Sequence, residues 1–349
     1  MNMSYVMETE INSQGQVIDN LTTKYIVNYC VLMDIPLQVN QIVIIASGSS
    51  YNAAMYGKNF FEGISKVQTS VEYASEVANN DFYNFREDVL YVFLSQSGNS
   101  ADTVAAIKKV KNANAQTLSI TNNKESTLFE LSDYKFDIET GREFAIAATK
   151  TFSATVLMLW LIALKVAQNK QIDISEETKN VYSVKHNIEA VLNNIDNIDL
   201  AVKFLAKQKD FSICGFNTNY ALTREAALKI KETCYINTSF YPMGEFIHGH
   251  FALLNKSNVL LTFALNELSD FEKEILEKIQ QTYRPKIVLI SDEYEDYNCD
   301  ILVKFPKGQS RIANIINSII TVQMIALKMA IKLKRNVDKP KGLQKVVGK

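Results

Sequence analysis

The sequence predicts an α/β fold made of two tandem copies of a parallel sheet covered by helices on both faces. Apolar runs of strand length alternate with segments of helical period, the pattern of strand–helix–strand crossovers. The same order of elements returns after about 170 residues, which marks an internal duplication. The chain has 349 residues and 47% apolar content, enough for two cores.

The first strand is IVIIA at 42–46, which runs into the polar turn 47–50 and a helix patterned on Ala53, Tyr56, Phe60 and Phe61. A second unit has a strand at 89–94, a polar loop and a helix from 101 to 112. A third strand at 117–121 leads to a short helix at 125–131, a strand at 134–138 and a long core helix at 149–168. In the second copy, ICGFNTNYA at 213–221 echoes IASGSSYNA at 45–53, VLLT at 259–262 echoes VFLS at 92–95, and IVLIS at 287–291 echoes TLSIT at 117–121. The helix at 314–332 answers the one at 149–168. Residues 173–199 hold no proline or glycine and are expected to form one connecting helix. The layout is an N-terminal helical segment at 1–30, a first domain at 31–172, the connector at 173–199, a second domain at 200–335 and a tail at 336–349.

Lys+Arg at 37 against Asp+Glu at 38 leaves a formal charge of -1, so no global field favours nucleic acid or an anionic membrane, and an anionic ligand must be held locally. Cys30, Cys214, Cys234 and Cys299 are scattered without metal or CxxC spacing, and MNMSYVMETEINSQGQ has no apolar signal core. A cytoplasmic protein with reduced thiols is expected. The apolar run at 154–164 falls short of the roughly 20 residues of a membrane span and reads as a buried core helix.

The loop LSQSGNSADT, residues 94–103, gathers three serines, a glutamine and an asparagine around one glycine at the end of a buried strand. A polar turn feeding a helix N-terminus offers unpaired N–H groups and the positive end of the dipole, and hydroxyls add donors that match phosphate oxygens. Ser95, Gln96, Ser97 and Ser100 therefore read as a phosphate cradle without lysine. Serine and asparagine are also ordinary turn and cap residues. Ser49, Ser50 and Asn52, at the carboxyl end of the neighbouring strand, favour the cradle, because open α/β sheets bind ligands in that crevice. The second copy has TFAL at 262–265 in place of SQSG and has lost the polar loop.

In REAALKIKE, residues 224–232, Glu225, Lys229 and Glu232 fall on one helical stripe and face a common point. On an arbitrary helix the same spacing is a solvated ion pair worth a few tenths of a kcal/mol. Here Ala226, Ala227, Leu228 and Ile230 surround it. MGEFIHGH, residues 243–250, holds two of the three histidines. No further ligand spacing completes a metal site, whereas a histidine near its neutral pKa in a glycine-flanked loop suits the proton transfers of sugar ring opening. His186 lies in the connector and reads as structural. No nicotinamide, metal or pyridoxal cofactor is implied, and neither GxGxxG nor GxxxxGK[ST] is present.

SGSSYNAA, LSQSGNSADT, EFAIAATKTFSA, REAALKIKETCYINTSFYPMGEFIHGH and VDKPKGLQK occur in an order that closely resembles the tandem sugar isomerase (SIS) domains, of the type forming the isomerase half of glutamine–fructose-6-phosphate aminotransferases. The resemblance covers nearly the whole chain. It implies two SIS domains, each a flavodoxin-like parallel sheet in a three-layer αβα arrangement. It further implies that Ser50, Ser95, Gln96, Ser97 and Ser100 hold a sugar phosphate, with Ser49 and Glu225 beside the substrate and backbone from Ile146 to Ala148 lining the sugar. Glu232 would move a proton between C2 and C1 with Lys229 beside it. His248 would open the ring, reaching in from the partner of a homodimer, and Lys345 of the tail would meet the ketose carbonyl.

The activity so implied is a phosphosugar isomerase or deaminase acting on a six-carbon amino-sugar phosphate of the glucosamine 6-phosphate or fructose 6-phosphate type. Ketose–aldose interconversion needs a carboxylate between adjacent carbons, an acid/base for the ring oxygen and activation of the carbonyl, which these residue types supply. With no glutaminase domain ahead of the motifs, the chain is expected not to draw ammonia from glutamine by itself. A fructosamine 6-phosphate deglycase and a non-catalytic sugar-phosphate-binding regulator are the alternatives, and a regulator has no use for Glu232, His248 and Lys345 together. The family usually has proline where His250 stands and serine where Ala148 stands, so these two positions bear on substrate identity.

Overall fold

The computed structural model describes residues 5–265, 268–292 and 298–345. The chain divides into two compact units. The first holds Ser13–Phe144 and Ala148–Lys185 together with Gln344 and Lys345, and the second holds the N-terminal residues through Asn12, Ala145–Ala147 and His186–Leu343. Helix α1 (Val6–Asn12) belongs to the second unit.

The first unit begins with α2 (Gln14–Tyr25) and a short hairpin, β1 (Ile26–Val27) and β2 (Cys30–Val31). Then come β3 (Gln41–Ala46), α3 (Gly48–Gly63), β4 (Gln68–Tyr73), α4 (Ala74–Asn79), β5 (Leu90–Ser95), α5 (Ala101–Asn112), β6 (Gln116–Thr121), α6 (Thr127–Leu131), β7 (Tyr134–Asp137), α7 (Lys150–Asn169) and α8 (Ser175–Thr178). The sheet is wholly parallel in the order β4-β3-β5-β6-β7, with Ile44 opposite Val71 on one side and Val92 on the other. Central β5, LYVFLS, is buried at every position, as a parallel strand covered on both faces must be. Seventeen of the twenty residues of α7 are buried, so this helix is apolar all round because it runs through the core.

The second unit carries α9 (Val184–Asn193), α10 (Ile198–Leu205), β8 (Asp210–Gly215), α11 (Asn219–Cys234), β9 (Asn237–Pro242), α12 (Met243–Phe246), β10 (Val259–Ala264), α13 (Asp270–Thr282), β11 (Lys286–Ser291), β12 (Ile301–Lys304) and α14 (Arg311–Lys332). Its sheet, β9-β8-β10-β11-β12, repeats the strand order of the first and is also wholly parallel. Both follow the flavodoxin-like 2-1-3-4-5 order, so the duplication in the letters is a duplication of topology.

One expectation needs correction and two are extended. The connector at 173–199 is not one helix: α8, a 3₁₀ turn at Val181–Ser183, α9 and α10 succeed one another. Asn180 and Asn197 interrupt it, each at φ +57, since asparagine enters the left-handed region without needing a glycine. Helix α7 spans 20 residues, and both it and α14 are long and apolar enough to cross a membrane, but 89% and 83% of their apolar windows are buried inside the protein. The edge strands β4, β9 and β12 and helix α13 complete the two units beyond what the apolar runs indicate.

Candidate active site

In an order of this kind the crevice lies at the carboxyl ends of the two strands where the chain reverses its direction of winding, here β3 and β5. Both are followed by the polar turns singled out from the sequence. Ser47 caps α3 in an extended conformation, and Ser49 and Ser50 sit half-buried in its first turn, with Asn52 buried one step on. Ser100 occupies the same capping place on α5, and its hydroxyl makes no cap bond of its own. It lies instead 3.3 Å from the hydroxyl of buried Ser95. The first N–H groups of α5 have no partner within the helix, and the positive end of its dipole faces the same loop.

The loop is held open by its own backbone. Gly98 stands at φ +64 and donates to Ser95 Oγ at 3.1 Å, while its carbonyl receives Leu128 N at 3.0 Å. A Cβ here would meet the Ser126 hydroxyl and lie 2.9 Å from Thr121 Oγ1, so both the dihedral and the space require glycine. Asn122 N donates to Gln96 O at 3.0 Å and Asn123 Nδ2 to Ser97 O at 3.4 Å, tying the loop to the end of β6.

Below it lies a cavity of about 360 Å³ lined by Gln96, Ser97, Asn99, Asn122, Asn123, Arg142, Glu143, Phe144 and Lys345. Lys345 Nζ is 2.6 Å from Glu143 Oε2. The Glu143 side chain is fully buried and also accepts from Thr149 N at 3.0 Å, Thr151 N at 3.2 Å and Thr151 Oγ1 at 2.6 Å. Burial alone would push this carboxyl up, but the Lys345 charge and the bonds from Lys345, Thr151 and Thr149 together hold it below the usual glutamate value. Gln96, Ser97 and Lys345 are thus brought to one polar cavity, with Ser95 and Ser100 in the loop above it.

In the second unit α11 carries the charged stripe. Lys229 is wholly buried, with Nζ 2.5 Å from Glu232 Oε2 and 3.4 Å from Glu225 Oε1. This is no solvated pair: Glu225 is buried too, and only Glu232, 21% exposed at the side chain, reaches the surface. A buried ammonium requires such counter-charges. One turn beyond β9, His248 is exposed, and Gly249 at φ +116 supports the turn. The His250 ring lies 4.1 Å from that of Tyr241, tilted by 34°, and stacks 6.1 Å from that of Phe246, packed within an aromatic group. His250, one of the two positions that depart from the family pattern, is therefore anchored in side-chain packing. Ile146 falls in the second unit, where its N–H donates to Asp338 O at 3.2 Å, and Ala148 falls in the first.

The sequence reading passed over Glu143, Arg142 and the Asn122–Asn123 pair. The asparagines follow a strand just as the two serine turns do, so the same crevice argument reaches them. Glu143 has a weaker signal, an acid six and eight residues ahead of two threonines at a helix start.

Residues 37–165 match the family model of the SIS domain. The matched stretch holds the first sheet, and the second sheet repeats its strand order. The chain is 31% identical over 355 residues to the glutamine–fructose-6-phosphate aminotransferase (isomerizing) of Campylobacter jejuni and 30% identical over 359 residues to that of Chlamydia abortus. These alignments cover 98% and 99% of this chain but 58% of each relative, so the chain spans little over half the length of the curated relatives it matches. Among solved structures, the C-terminal domain of the aminotransferase from Francisella tularensis superposes with a TM-score of 0.90 at 27% identity, covering 97% of this chain and 99% of that one. A glucosamine-6-phosphate deaminase of Thermotoga maritima shares the fold, with a TM-score of 0.76 at 23% identity over 98% of this chain and 99% of that one.

Proposed function

We propose that the chain is a phosphosugar isomerase of the SIS family that acts on a six-carbon amino-sugar phosphate, interconverting ketose and aldose with release or uptake of ammonia. The observation that carries this reading is the amine of Lys345 at the wall of a polar cavity that also presents Gln96 and Ser97. A lysine whose charge is already matched by a buried carboxylate is better placed to meet a carbonyl than to grip a phosphate. The names of the relatives point the same way.

In this reading the hydroxyls of Ser50, Ser95, Ser97 and Ser100, the amide of Gln96 and the free N–H groups of α5 hold the phosphate, with Ser49 beside them. Lys345 condenses with the ketose carbonyl to give an imine and water, which makes the adjacent C–H acidic. Glu232, kept close to Lys229, carries the proton between C2 and C1, with Glu225 holding Lys229 from the other side. Backbone at Ile146 and Ala148 lines the sugar. His248 exchanges the ring-oxygen proton, from the partner chain of a homodimer. In the deaminating direction glucosamine 6-phosphate and water give fructose 6-phosphate and ammonia.

The test is incubation of purified protein with glucosamine 6-phosphate, and separately with fructose 6-phosphate plus ammonium, following ammonia and both sugars. Interconversion is expected in at least one direction. Turnover of neither, with phosphosugar binding intact, would leave the fructosamine 6-phosphate deglycase or the sugar-phosphate-binding regulator instead.

A further inference from the structure

We propose that Glu143 is the positioning residue for Lys345: it parks the amine as an ammonium at the cavity wall and receives its proton when the amine turns to a carbonyl. The inference rests on the reading of Lys345 as the carbonyl-seeking amine and adds the group through which that amine is placed.

The two oxygens of Glu143 have different surroundings. Oε1 is bound to the start of α7, accepting from Thr149 N at 3.0 Å, Thr149 Oγ1 at 3.3 Å and Thr151 N at 3.2 Å. A carboxylate at the N-terminus of a 20-residue helix is favoured as the anion by the helix dipole and by these donors. Oε2 accepts from Thr151 Oγ1 at 2.6 Å and from Lys345 Nζ at 2.6 Å. A capping glutamate needs only the first set. The second gives a flexible tail lysine one fixed location beside Gln96 and Ser97, and removes the freedom that would otherwise be lost on reaching a substrate carbonyl. The other cations nearby are differently engaged: Lys150 Nζ donates to Arg142 O at 2.9 Å, and the Arg142 guanidinium lies 4.8 Å over the Phe144 ring.

The proton balance closes without another group. The Lys345 ammonium gives one proton to Glu143, the neutral amine adds to the carbonyl carbon, and the carbinolamine hydroxyl leaves as water after taking that proton back. Ammonium and carbonyl have become iminium and water, and Glu143 is again the anion. As the ammonium loses its charge, its share of the attraction that keeps the carboxylate ionised is lost while the burial remains, which eases the transfer; the bonds from Thr149 and Thr151 persist and return Glu143 to the anion afterwards.

The experiment traps the imine with borohydride in the presence of fructose 6-phosphate and reads the reduced adduct on Lys345 by peptide mass spectrometry. Glu143→Gln keeps an oxygen for the helix start but turns an amide toward the ammonium. Trapping in this variant should slow by about a hundredfold, as misplacement of a reacting group does, while fructose 6-phosphate affinity stays within about threefold, a split that a merely structural role would not give. Should that variant fail to fold, Glu143→Asp keeps the charge and shortens the reach, and an intermediate loss is expected. Trapping at the wild-type rate in whichever variant folds overturns the inference and leaves the proposed function standing. Absence of any adduct on Lys345 in the unaltered protein overturns the assignment of Lys345 and this inference with it.

Discussion

Lys229 lies 2.5 Å from Glu232 and 3.4 Å from Glu225, and of the three side chains only Glu232 meets solvent. Lys229→Met removes the buried ammonium from two carboxylates and should cost about 3 kcal/mol, since breaking a buried pair from one side strands the other. Glu232→Gln takes the nearer of two counter-charges from the buried ammonium, so it should lower the urea midpoint as well, by less than Lys229→Met because Glu225 remains, and it should abolish turnover of glucosamine 6-phosphate. If Glu232→Gln retains turnover, Glu232 is not the proton carrier.

Gly98 and Gly48 offer a matched comparison, one on each serine turn. Both have positive φ, +64 and +58, but a Cβ meets Ser126 and Thr121 at Gly98 and nothing within 4 Å at Gly48. Gly48→Ala should cost only the left-handed penalty of about 1 kcal/mol. Gly98→Ala must also displace the start of α6 and the loop that carries Gln96 and Ser97. The predicted result is loss of the thermal stabilisation conferred by fructose 6-phosphate for Gly98→Ala and its retention for Gly48→Ala. Equal behaviour would show that the loop conformation is not what binds phosphate.

What could be read from the letters follows from how each feature announces itself. Strands such as LYVFLS and VLLTFA are buried on both faces and stand out as unbroken apolar runs. Edge strands QTSVEY and NTSFYP face solvent along one side, so their polar residues hide them. The connector misled because its breaks are made by Asn180 and Asn197, residues that a search for proline and glycine passes over. In the candidate site, the serine turns were legible because short polar residues after a buried strand are unusual. Glu143 was not, because its partner Lys345 is 202 positions away and only folding joins them.

The four thiols should react in an order set by burial. Cys30 is exposed, Cys299 is half-buried, and Cys214 and Cys234 are buried. Burial raises the Cys299 thiol, with the Asp300 charge adding, to about 11, and raises Cys234 to about 11 despite the Thr233 bond. Cys214 is pushed up further by burial alone. With a disulfide reagent near pH 8, Cys30 should be consumed first, Cys299 slowly, and the remaining two only after denaturation. Immediate reaction of all four in native buffer would contradict this burial.

The Glu143–Lys345 pair also fixes the sign of an acid effect on stability. The folded value of Glu143 lies below its ordinary one, so the unfolded chain takes up the proton first as pH falls. Its stabilising contribution is complete above the ordinary glutamate value and is lost as pH drops through the folded one. Glu143→Gln cannot be ionised at this position at any pH. The difference in unfolding free energy between the two proteins should therefore be greatest near neutrality, about 1–3 kcal/mol for a buried charged hydrogen-bond network, and should shrink steadily on acidification below the ordinary glutamate value. Urea titrations of both proteins at stepped pH measure this directly. A difference independent of pH would mean that the ionised carboxylate stabilises the fold no better than the protonated acid, and that its bond to the Lys345 ammonium contributes nothing.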